Sequence, residues 1–66
     1  MSDLILTPNL PDPDGFYDRL LAVHEGLDPA ESAALNARLI LILSNHIGEP
    51  RILEQALSAA RKRTED

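Results

Sequence analysis

Five consecutive aliphatic residues, Leu39-Ile40-Leu41-Ile42-Leu43, stand between Asp28-Pro29 upstream and Gly48 downstream. This run constrains the fold more than any other feature of the chain. A run of that length also suits a buried β-strand, but its flanks decide for a helix. Asp28-Pro29-Ala30-Glu31 supplies a capping Asp, a proline at the first helical position and a Glu three residues on, a capping-box arrangement. Alanines and Arg38 lead into the run, and Gly48 provides a left-handed stop after Ile47. The reading is a helix of about 19 residues, roughly 28 Å long. Five adjacent aliphatic positions reach every side of such a helix, and a helix apolar all round is one buried all round.

Two weaker helices flank it. Asp12 is a preferred N-cap, and Pro13 suits the first helical position. Phe16, Leu20, Val23 and Leu27 recur at steps of four, three and four on one face, with Tyr17, Leu21 and His24 beside them, and Gly26 is expected to end this first helix as a left-handed cap. The third helix is expected from near Glu49-Pro50 to about Arg63. Its stripe would be Leu53, Ala56, Leu57 and Ala60, with Ile52 alongside and Arg51, Glu54, Gln55, Ser58 and Lys62 facing water. Glu49 is a poorer cap than Asp. Residues 1–11 hold Pro8 and Pro11 and no helical period, so they read as an extended arm with a small apolar patch at Leu4, Ile5 and Leu6. Residues 12–66 then form one all-α domain, a three-helix up-down-up arrangement set by short connections.

At 66 residues only one domain fits, and a core of this size is marginal without a disulfide, a metal or a partner chain. There are no cysteines, so neither a disulfide framework nor a thiolate metal site is available. The first and third helices offer one narrow stripe each, too little to cover all sides of the second. The uncovered strip around residues 39–43 therefore predicts a protein partner. Asn36, Arg38, Asn45 and His46 lie on or beside the run and are expected to supply specific polar contacts at that interface, with Leu39, Ile40, Leu41, Ile42 and Leu43 as its apolar part.

Other classes fare worse. Eleven carboxylates against six Lys and Arg give a net charge of −5, which argues against binding nucleic acid by neutralising phosphates. Arg61, Lys62 and Arg63 read as a last helical turn, where cations complement the helix dipole. No stretch approaches the roughly 20 apolar residues that span a bilayer, and no cationic segment precedes the N-terminal patch as in a signal peptide. The expectation is a cytoplasmic protein with no membrane contact. His24 and His46 would sit at opposite poles of an antiparallel pair, too far apart to share a metal ion within one chain. His46 is expected to bond nearby carbonyls or carboxylates such as Asp12 or Asp14. No nucleophile, base and orienter occur together, so no catalytic residue, cofactor or metal is expected. The alternative is a homo-oligomeric small-molecule or metal-binding module using Asn45 and His46 between subunits.

Three segments carry a family resemblance: Thr7-Pro8-Asn9-Leu10-Pro11-Asp12-Pro13-Asp14-Gly15-Phe16-Tyr17, then Leu35-Asn36-Ala37-Arg38-Leu39, then Asn45-His46-Ile47-Gly48. In this order and spacing the chain resembles the short bacterial proteins known as domain of unknown function 2783, over about residues 6–62. Glu49 departs from the Asp expected after the glycine. The resemblance implies an accessory role beside FAD-dependent aromatic-ring hydroxylases or other enzymes of aromatic catabolism, near which the family's genes often lie. The partner it implies is a flavin-dependent monooxygenase, whereas the uncovered strip on the second helix also allows a homo-oligomer in which two copies bury that strip in a two-fold interface, alone or together with the enzyme. The resemblance transfers no active residues.

Overall fold

The computed structural model describes residues 3–62. Three helices run in chain order: α1 (Pro13–His24), α2 (Pro29–Ile47) and α3 (Pro50–Arg61). The fold is all-α, and no strand occurs among the described residues.

The local signals act as read. Asp12 accepts a hydrogen bond from the Gly15 N–H at 3.1 Å, with Pro13 opening α1. At α2 both halves of the capping box form. The Glu31 N–H donates to Asp28 Oδ1 at 2.8 Å, and the Asp28 N–H donates to Glu31 Oε1 at 3.1 Å. Gly48, at φ 66°, closes α2 with its N–H on the Ser44 carbonyl at 2.9 Å. Glu49 gives α3 no side-chain cap. One boundary differs from the sequence reading. α1 stops at His24, Glu25 is already extended, and Gly26 (φ 81°) lies in the turn beyond the helix rather than capping it. The expected end at Arg63 lies outside the described residues; α3 is helical to Arg61.

Residues 3–12 form neither helix nor strand and reach across to α3. The Leu4 N–H donates to Gln55 Oε1 at 2.9 Å, and Arg51 Nη2 lies 3.0 Å from Asp3 Oδ1. These contacts explain why the face of α3 differs from the expected stripe. Gln55, assigned to water, is half-buried under the arm, and Ala59 joins Ile52, Leu53 and Ala56 on the covered side. Leu57 is 71% exposed and Ala60 is also open.

The expected three-helix arrangement is present in an open form. No side chain among the described residues is fully buried. The interior consists of half-buried Leu20, Leu27, Leu35, Leu39, Ile52, Leu53 and Ala56. Phe16 and Val23, on the expected inner face of α1, are about half exposed. The radius of gyration is 13.9 Å, against about 11 Å for a compact chain of this length. The helices are rods specified locally, without an interior that the three of them seal.

Candidate functional site

The candidate site is α2 itself. Of the five aliphatic residues in its run, Leu39 is half-buried, whereas Ile40, Leu41, Ile42 and Leu43 are 60%, 69%, 65% and 48% exposed. At 100° per residue these side chains divide among three faces. Leu35, Leu39 and Ile42 follow one line, and with Val23 of α1 and Arg38 they border a shallow groove of about 280 Å³. Ile40, Leu43 and Ile47 follow a second line at steps of three and four, with Asn36 one turn before Ile40. Arg38, Leu41 and Asn45 follow a third. The residues singled out from the sequence are thus all on one helix, and they do not share one face. His46 continues the Leu35–Leu39–Ile42 line to the end of α2 and is exposed.

Asn36 has a neighbour that the sequence reading missed. His24, at the end of α1, lies between two residues of α2: its Nδ1 is 3.0 Å from Ser32 Oγ, and its Nε2 is 3.1 Å from Asn36 Oδ1. An amide oxygen can only accept, so Nε2 carries the proton, and in the neutral ring Nδ1 accepts from the serine hydroxyl. The signal was present in the sequence: Ser32 and Asn36 are four apart on one helical face, just beyond a short connection from His24.

A hydroxyl, an imidazole and an amide in line have the order of a nucleophile, a base and an orienter, so their surroundings decide what they do. Backbone N–H groups beside the hydroxyl are one source of donors for a developing oxyanion. Here the Glu31 N–H is held by Asp28 Oδ1, and the Ser32 N–H donates to the Asp28 carbonyl at 2.9 Å. Those two donors are committed to capping, and what the geometry shows is a polar link, here called a latch, that joins the end of α1 to α2.

His46 does not reach the carboxylates expected for it. Asp12 turns to Gly15 of its own helix, and no hydrogen bond among the described residues involves His46. No cluster of three or more His, Cys, Asp or Glu side chains forms among the described residues, and none of their helices is long and apolar enough to cross a membrane.

The accessible surface gives the exposure a scale. The chain presents 6061 Å², against about 4,100 Å² for a compact monomer of its 7.2 kDa. The difference is about 1,900 Å². A stable protein–protein interface takes about 800 Å² from each partner. The surplus, to which the extended arm and the open packing of the helices both contribute, is therefore of interface order.

A family model described as "Protein of unknown function (DUF2783)" matches residues 4–62. No curated protein and no solved structure matches the chain.

Proposed function

We propose for this chain, which belongs to the DUF2783 family, the role of a small helical interaction protein: an accessory subunit that works by docking α2 on another polypeptide and has no catalysis of its own. The observation that carries the reading is the exposure of Ile40, Leu41, Ile42 and Leu43 in a chain with a surplus surface of interface size. Apolar patches beyond a few hundred Å² on small proteins mark interaction sites.

The face bearing Arg38, Leu41 and Asn45 suits a heterologous partner best. It combines an exposed aliphatic centre with a guanidinium and an amide that can be read specifically. The partner we assign to it is a flavin-dependent aromatic hydroxylase, which places the protein in the cytoplasm and in aromatic catabolism. This choice rests on the gene neighbourhood that the family resemblance implies; the family's own description names no function.

The test is co-expression of the tagged chain with a flavin-dependent aromatic hydroxylase of the same genome. Co-purification at micromolar concentration is expected. Leu41→Asp should abolish it while leaving the helical circular dichroism of the small chain intact, because Leu41 is open to water in the free protein. Arg38→Ala should weaken capture more than it lowers the melting temperature. Failure of the wild-type pair to co-purify, or full capture by Leu41→Asp, overturns the reading.

A further inference from the structure

We infer that α2 pairs with α2 of a second copy of this chain through the line Asn36, Ile40, Leu43 and Ile47, leaving the Arg38, Leu41 and Asn45 face outward. This inference rests on the interaction role above and names the first partner.

Four observations point to a second copy on that line. First, the spacing from Asn36 to Ile47 runs four, three, four, the seam repeat of paired helices, and it places Ile, Leu, Ile in alternation. β-Branched residues at one seam position with leucine at the other favour two strands. Second, the line carries no charge, although the chain as a whole is at −5. A two-fold contact sets a surface against itself, so any charge on it would meet its own like; self-contact along this line brings no such cost. Third, Ile40 is 60% exposed and Leu43 and Ile47 are each 48% exposed, so neither α1 nor α3 covers the aliphatic part of the line. Fourth, the surplus surface of the whole chain, to which the arm and the other faces also contribute, is on the order of the 800 Å² that each chain gives to a stable dimer. A chain with no buried side chain among its described residues needs its companion as soon as it folds, and a second copy is the companion present in matched amount.

Asn36 gives the seam a direction. It is the polar member of the line, and its carbonyl oxygen is held by His24 Nε2. The latch between α1 and α2 therefore lies at the edge of the dimer contact.

The full-length chain is examined by sedimentation equilibrium and native mass spectrometry. The expected mass is twice 7.2 kDa, falling to the single mass only on dilution. Leu43→Glu should raise the dissociation constant by more than about 100-fold, since it places two unpaired carboxylates in one apolar contact. Leu41→Glu should leave the dimer unchanged. Because Leu43→Glu could also unfold the chain, a second measurement uses the absence of cysteine. Single cysteines introduced as Ile40→Cys or Leu43→Cys should join two copies through a short bismaleimide, and Leu41→Cys should not. A wild-type chain that stays a monomer at high micromolar concentration overturns the inference, as does cross-linking through Leu41→Cys at the efficiency of Ile40→Cys. The outcomes separate from those of the proposed function. A monomer that still captures the flavoenzyme refutes only the pairing, and a dimer that captures nothing refutes only the accessory role.

Discussion

Replacing His24 with alanine tests whether α1 is held on α2 by the imidazole or merely follows from the short connection. The ring makes two contacts across the junction, 3.0 Å to Ser32 Oγ and 3.1 Å to Asn36 Oδ1. A hydrogen bond contributes about 0.5–1.5 kcal/mol net. The Ser32 contact is partly buried and belongs near the middle of that range, whereas the Asn36 contact is exposed and belongs near its bottom. Their sum is about 1.5 kcal/mol, a drop in melting temperature of about 10 °C for a chain of this size. Alanine is the better helix former and returns up to about 0.5 kcal/mol, so the single variant understates the latch. The decisive assay is therefore a double-mutant cycle by thermal circular dichroism at one fixed protein concentration, since association alone would shift the melting point. His24→Ala combined with Ser32→Ala should show a coupling of about 1 kcal/mol, and His24→Ala combined with Asn36→Ala about 0.5 kcal/mol. If both pairs are additive, the two contacts carry no energy and the latch is wrong.

Two further perturbations separate strong local signals from weak ones. Asp28→Ala removes one half of the capping box and leaves Glu31 without its reciprocal partner, which should cost about 1 kcal/mol; Glu49→Ser supplies the cap that α3 lacks and should stabilise by about 0.5–1 kcal/mol. Thermal melts of the two variants should therefore move in opposite directions, and movement in the same direction would show that capping does not limit these helices. Arg51→Ala breaks the ion pair between α3 and the arm, whose side chains are 50% and 68% exposed, so melting should change by less than about 0.5 kcal/mol. A larger loss would mean that the arm is held by that pair rather than by the Leu4 contact with Gln55.

The helices were legible in the sequence because their signals are contained in a few neighbouring residues. Asp28 and Glu31 find each other across a single turn, and Gly48 needs only its own φ to stop α2. How the helices face one another is a different kind of fact. The periodicity of α3 pointed to Leu57 and Ala60, yet the covered face is turned toward Ile52, Gln55, Ala56 and Ala59. The cause is Leu4, more than 50 positions away, which donates its N–H to Gln55. A helix period cannot anticipate a contact made by a segment with no period of its own. Gly26 misled for a related reason. Its positive φ is used, but in the turn after Glu25 rather than at the end of the helix. In the candidate site, the exposure of residues 40–43 followed from counting stripes. The engagement of Asn36 by His24 did not, because the sequence reading weighed His24 only as a metal ligand and looked for a bond between helices at His46 instead.

A chain built this way divides the work of folding between two levels. Local signals mark all three rods, most completely at α2 with its capping box and Gly48 and least at α3, which lacks a side-chain cap, and the half-buried set around Leu35, Leu39 and Leu53 only begins to join them. What would complete an interior is concentrated on α2, where the aliphatic run is too wide for two short neighbours to cover. If a second copy supplies the missing cover, the stability of the fold becomes inseparable from protomer concentration. The strong caps of α2 then have a specific value. They hold the seam residues Ile40, Leu43 and Ile47 on one line before any partner arrives, so that association does not also have to order the helix that makes the contact.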